Sequence, residues 1–199
     1  MDCWWVGTDT LLLVDMPKQL RTIQKLHAYK RRFIARIFDH YCTRHHAVSQ
    51  LQADELKKFG VKKPIVITPF NLQHPEPVKK VRHSKFTILF YFYKWDEKDM
   101  PFKKWLYGYD LVERLMDEVY DGVRYLISDG ESLTADEMFS ETDFCIRPNR
   151  HDGVSRIIRE CEINNIPYYH SQTNPNYEAM KDAVLKAKEQ FYNVSVPVG

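Results

Sequence analysis

The chain has 199 residues and a mass of 23.7 kDa, enough for one domain or a domain with an appendage. Hydrophobic residues make up 44%, charged residues 28% and aromatic residues 14%, which excludes a chain disordered throughout and a collagen-like repeat. The net charge of +2 hides an asymmetry. Residues 1–85 carry 16 Lys+Arg against 7 Asp+Glu and residues 86–199 carry 13 against 20, so the first part is the one suited to an anionic partner.

In chain order, the first 60 residues hold one strand near 3–6, extended by 11–14, then a long helix from about 17 to 41 and a short one near 49–59. In the long helix Leu20, Ile23, Leu26, Phe33, Ile34 and Ile37 recur at helical intervals, and Arg21, Lys25, Arg32 and Arg36 share another face. One reading is a solvated basic face over a packed apolar one. The other is a peripheral contact with an anionic membrane or partner. His45 and His46 read as a surface feature at a helix start, with no matching Cys, Asp or Glu spacing for a metal.

From residue 64 onward short β-branched or aromatic runs alternate with helical patterns. The strands are expected at 64–68, 86–93, 123–128, 143–147 and 166–170, with helices near 101–120, 134–139, 153–164 and 176–192. Asp121-Gly122 and Asn164-Asn165 serve as stops. Most of these strands are too apolar for a sheet with one wet face, so the fold class is α/β, a Rossmann-like parallel sheet flanked by helices. The division expected is residues 1–60 and 61–199.

No apolar run approaches the ~18 residues of a bilayer span, and residues 3–14 lack a basic region before them, so neither a spanning helix nor a signal peptide is expected. Cys3, Cys42, Cys145 and Cys161 stand far apart with no CxxC, which reads as reduced and cytoplasmic. GxGxxG, P-loop and DxD motifs do not occur, which removes support from dinucleotide oxidoreductases, phosphate-loop ATPases and metal-dependent transferases of the GT-A type.

The most informative stretch is 143–171, DFCIRPNRHDGVSRIIRECEINNIPYYHS. A buried strand ends at Arg147-Pro148, a polar loop comes next, and a helix begins near Val154 and Ser155. In parallel α/β sheets that junction presents unpaired N–H groups and the positive end of a helix dipole to phosphate. Arg147, Arg150 and Arg156 add charge, and Asp152 and Glu160 are placed to bracket a ligand.

The segment resembles the donor-binding motif of retaining GT-B glycosyltransferases of the Glu-x7-Glu type. The pattern reads here Asp152-Gly153, then Glu160, then Asn165 to Ser171. The resemblance implies that Asp152 is catalytic and contacts the transferred sugar, that Glu160 holds the ribose hydroxyls, and that Gly153, Val154, Ser155 and Arg156 belong to the donor-binding site. Asp152 departs from the family's Glu by one methylene. His46 to Ser49 with Glu55-Leu56 and Gly60-Val61 resembles the helix entering the family's C-terminal domain, and Thr68 to Asn71 the loop after the next strand. Ser128 to Glu131 resembles its "GdGe" loop. Trp5 to Asp9 resembles the "hGtD" segment, which implies a catalytic role for Asp9. Lys94 falls where the family often keeps a basic residue for the diphosphate, and Arg147, at the strand end, is a further donor-binding candidate.

By this resemblance the chain is the C-terminal donor-binding half of a GT-B fold, with residues 1–60 a remnant of the acceptor domain. The resemblance implies a metal-independent transferase, taking a UDP- or GDP-sugar, needing no cofactor and acting on a hydroxyl acceptor, with a homodimer or partner subunit completing the acceptor side. The alternatives are a non-catalytic or partner-dependent module and, behind it, a nucleic-acid binder using the basic first part.

Overall fold

A computed structural model describes residues 1–5, 10–68, 76–92, 100–128 and 131–195. The chain is α/β with two all-parallel sheets flanked by helices, a Rossmann-like layout. It divides into two compact units, Met1–Leu72 with His151–Val154, and Gln73–Arg150 with Ser155–Gly199. Among the described residues no helix is long and apolar enough to cross a membrane.

In the first unit β1 (Asp2–Trp5), β2 (Arg44–Ala47) and β3 (Ile65–Ile67) pair in that order. The helices are α1 (Leu11–Val14), α2 (Thr22–Tyr41) and α3 (Gln50–Phe59). Trp5 and Ala47 meet Leu13 of α1, Ala35 of α2, and Ala53 and Leu56 of α3 in one apolar cluster. Ser49 caps α3 by accepting from the Gln52 N–H, and Gly60 ends it at φ 84°, the left-handed geometry that suits glycine.

Four expectations are corrected by this unit. Residues 11–14 form a helical turn, closed by Asp15 N–H to Leu11 C=O, because a four-residue apolar run carries no period of its own. Residues 44–47 are the central strand of the sheet, and β3 pairs with β2 instead of joining the second sheet. His45 is fully buried and His46 nearly so. Their polarity is absorbed: Trp5 Nε1 donates to His45 Nδ1 at 3.0 Å, His45 Nε2 donates to Asp39 at 3.0 Å, and His46 bonds Thr68 at 2.9 Å and Asp2 at 3.2 Å. Finally, α2 turns its small residues Ala28 and Ala35 inward, while Ile23, Leu26, Phe33 and Ile37, read as a packed stripe, face out.

Arg32 and Arg36 also leave the solvated basic face. Arg32 donates to the Leu12 and Asp15 carbonyls, and Arg36 to those of Phe59 and Gly60 while lying over the Phe59 ring, so they bind α2 to its neighbours. Asp39 receives N–H groups from Lys62 and Lys63 besides the His45 proton. Burial alone would raise its carboxyl, but these donors outweigh it and hold the group below the ordinary range.

In the second unit the sheet order is β5-β4-β6-β7, with β4 (Phe86–Tyr91), β5 (Val123–Ser128), β6 (Phe144–Pro148) and β7 (Tyr168–Ser171). Alternation along β4 and β6 divides two cores. Phe86, Ile88, Phe90, Phe144 and Ile146 pack against Val112 and Leu115 of α5 (Tyr109–Glu118) and Met180 and Val184 of α8 (Tyr177–Ser195). Leu89 and Cys145 face the other way, onto Met138 and Phe139 of α6 (Ala135–Glu141) and Ile157 and Cys161 of α7 (Arg156–Ile163). Both faces being covered explains the continuous apolar strands.

The helix expected at 101–120 is two, α4 (Met100–Leu106) and α5, broken at Gly108 with φ 67°. Asn165, φ 53°, follows the C-cap Asn164 of α7 as expected, whereas α5 ends at Glu118 and Gly122, φ 66°, lies in the turn before β5. All four cysteines are free.

Candidate functional site

The order β5-β4-β6-β7 reverses direction between β4 and β6: the chain steps from β4 to β5 on one side, then crosses back to β6 on the other. At such a reversal the connections leave opposite faces of the sheet and open a crevice beyond the carboxyl ends of the two strands. From β4 the chain enters 93–99, and Lys94 therefore lies outside the described residues, as do Asp9, Asp129 and Gly130.

At the end of β6 Arg147 is half-buried, its guanidinium 5.6 Å from the Tyr107 ring centroid. Asn149 is 2% exposed, and its Oδ1 has no hydrogen-bond partner among the described residues. A buried amide oxygen without a donor is uncommon in a finished core and common where a ligand or water completes it. The turn between α4 and α5 presses on this strand end. A Cβ at Gly108 would sit 2.1 Å from the Pro148 carbonyl oxygen, so only glycine fits there.

Arg150, expected as phosphate charge, is instead committed to bracing. It grips Asp110 through two bonds of 2.7 Å and donates to the Trp105 carbonyl at 2.6 Å. The hydrogen bonds and charge of this guanidinium hold the Asp110 carboxyl below its usual range. The loop is thereby tied to α4 and α5, which fixes the path of the chain as it leaves β6.

Helix α7 begins three residues later than expected. Ser155 is its N-cap and accepts from the Ile158 N–H at 3.3 Å, which uses the Ser155 hydroxyl for the helix itself. The first N–H groups of any helix lack intrahelical partners, and those of Arg156 and Ile157 precede the capped one. Glu160 lies one turn in, its side chain 8% exposed, and accepts from Arg156 Nε at 2.8 Å while the Arg156 side chain is 74% exposed. Arg147, the start of α7 and Glu160 thus fall in the second unit.

Residues 151–154 pack with the first unit. A Cβ at Gly153 would meet Ser49 Oγ at 3.2 Å and Gln52 Nε2 at 3.5 Å, so the loop lies close against the beginning of α3. Asp152 is buried and Val154 half-buried. His151, which sequence reasoning passed over, is 3% exposed and contacts both Glu55 oxygens through Nε2, at 3.0 and 2.9 Å. Glu55 also accepts from Thr10 Oγ1 at 2.6 Å. The other ring nitrogen, Nδ1, has no hydrogen-bond partner among the described residues. The signal was present as Glu55 in the helix motif and His151 beside Asp152-Gly153, but 96 residues separate them and no spacing rule joins them.

Among the described residues no group of three or more His, Cys, Asp or Glu converges as a metal site. Trp5 is a core residue, whereas Trp4, 54% exposed, stacks on His46 with ring centroids 4.1 Å apart. No known family model matches the chain, and no curated protein matches it significantly.

Proposed function

We propose that this chain is a glycosyltransferase-type protein whose second unit binds a nucleotide-diphosphate sugar and passes the sugar to a hydroxyl acceptor with retention. The observation that carries the proposal is the strand-order reversal between β4 and β6, with Arg147 at the end of β6 and the start of α7 in the same unit. Such crevices take nucleotides in open α/β sheets, and helix N–H groups suit phosphate.

In the reaction the bond from the sugar's anomeric carbon to the diphosphate oxygen breaks and a bond to the acceptor oxygen forms. The diphosphate leaves with the electron pair and the acceptor loses its proton. Arg147 and the free N–H groups of α7 stabilise the charge that grows on the departing diphosphate. Glu160 accepts hydrogen bonds from the vicinal ribose hydroxyls. The four free cysteines suit a reducing, cytoplasmic setting.

A second reading, nucleotide binding without turnover, is favoured by Asp152, the carboxylate assigned to the transferred sugar, being buried and one methylene shorter than the family's Glu. Calorimetric titration with UDP, GDP and their sugar conjugates tests the proposal. Micromolar binding of one nucleotide, weakened ~10-fold or more in Glu160→Ala, supports a donor site, since removing a charged hydrogen-bond acceptor costs ~1.5–3 kcal/mol. Absence of binding by all of them refutes it, and binding without release of free nucleotide from the sugar conjugate selects the second reading.

A further inference from the structure

We propose that α2 docks the first unit on an anionic membrane surface. The inference rests on this unit alone and is independent of the donor-site reading.

The large apolar residues of α2 face away from the fold. Leu26 is 61% exposed and Phe33 67%, with Ile23, Tyr29 and Ile37 exposed beside them. At 100° per residue these five fall on one stripe, opposite the face that buries Ala28, Ala35 and Asp39. Scattered exposed apolar residues are ordinary, but a contiguous stripe along a helix marks a contact surface.

Charge selects the occupant. Residues 16–38 contain seven Lys+Arg and no Asp or Glu. Arg32 and Arg36 are tied to backbone carbonyls of the unit, which leaves Lys25 beside the stripe and Lys30 within it. Beyond Lys30 a cleft of about 510 Å³ runs between α2 and the edge strand β1, lined by Trp4, Lys30, Arg31, Ile34 and Phe38 among others. Among the described residues no acidic side chain lines it. An apolar stripe with one lysine at its border and one within it, whose long stem lets the ammonium reach the headgroups, fits the boundary where acyl chains meet anionic headgroups. A second copy of the chain meeting on the same face would oppose cation to cation, since a two-fold interface sets a patch against itself.

The test is co-sedimentation of the full chain with vesicles of phosphatidylcholine, with and without phosphatidylserine. Binding is expected only with phosphatidylserine, and it is expected to weaken as salt rises. The double variant Leu26→Asp/Phe33→Asp, both side chains being exposed, should keep the helical circular dichroism and lose binding by more than ~10-fold. Lys25→Gln and Lys30→Gln should each reduce binding by roughly fivefold. Equal binding to neutral vesicles, no binding to either kind, or binding unchanged in these variants overturns the proposal. So does a dimer or an RNA complex that the double variant abolishes while vesicles are ignored.

Discussion

Replacing Gly108 by alanine probes the joint between the α4–α5 turn and the end of β6. Two separate costs are expected. Gly108 stands at φ 67°, and a residue with a Cβ there carries ~1–2 kcal/mol of strain. The new Cβ would also lie 2.1 Å from the Pro148 carbonyl oxygen and 3.1 Å from its carbon, against backbone that cannot swing aside as a side chain would. Displacing the turn to relieve that overlap adds ~1–3 kcal/mol, the usual range for overpacking. The sum is about 2–5 kcal/mol. Gly122→Ala supplies the control within the same unit, because its φ of 66° carries the same strain but its nearest neighbour is the Tyr192 hydroxyl at 2.7 Å, the far end of a side chain. That variant should cost only ~1–2 kcal/mol. At ~2–4 °C per kcal/mol for a chain of this size, scanning calorimetry should show Gly108→Ala melting roughly 10 °C below wild type and clearly below Gly122→Ala. Equal melting temperatures for the two variants would refute the exclusion of a side chain at 108 by Pro148.

The Asp39 carboxyl is held below its unfolded value, so the stability it contributes is present above an unfolded pKa of ~3.9 and is lost as pH falls through the lower folded value. Acid melting of the first unit should therefore steepen below about pH 4, and Asp39→Asn should flatten that limb. Glu55→Ala removes the acceptor shared by His151 and Thr10 and should cost ~1–3 kcal/mol by thermal or urea unfolding, with Glu55→Gln milder; no loss in either would show that the pairing carries no stability. Arg150→Ala should let the Asp110 carboxyl rise toward its ordinary range, read by carboxyl NMR titration, and an unmoved Asp110 would contradict the bidentate pair as the cause.

The second unit is legible in the sequence because its two central strands, β4 and β6, are buried on both faces. Apolar runs such as 86–91 announce themselves, and Asn164-Asn165 stops α7 where the backbone turns left-handed, whereas α5 already ends at its C-cap Val119, three residues before the expected stop at Gly122. The first unit is harder. Its central strand is RHHA, and its polarity makes sense only once Trp5, Asp39, Asp2 and Thr68 are seen around the two imidazoles. In α2 periodicity locates the helix, yet cannot tell an inward stripe from an outward one, and it is the alanines that pack. At the candidate site Ser155 and Glu160 could be placed by spacing along one helix. The commitment of Arg150 to Asp110 and the pairing of His151 with Glu55 depend on contacts 40 and 96 residues apart, which local patterns do not encode.

Whether the carboxyl edge of the four-stranded sheet holds a nucleotide diphosphate is tested most directly by amide NMR during titration with UDP and with GDP. Shifts are expected from one of the two nucleotides, concentrated at Arg147 to Asn149 and Ser155 to Glu160, with the opposite, amino-terminal ends of β4 and β6 unmoved. Shifts confined to residues outside that edge, or none at saturating nucleotide, would contradict the donor site.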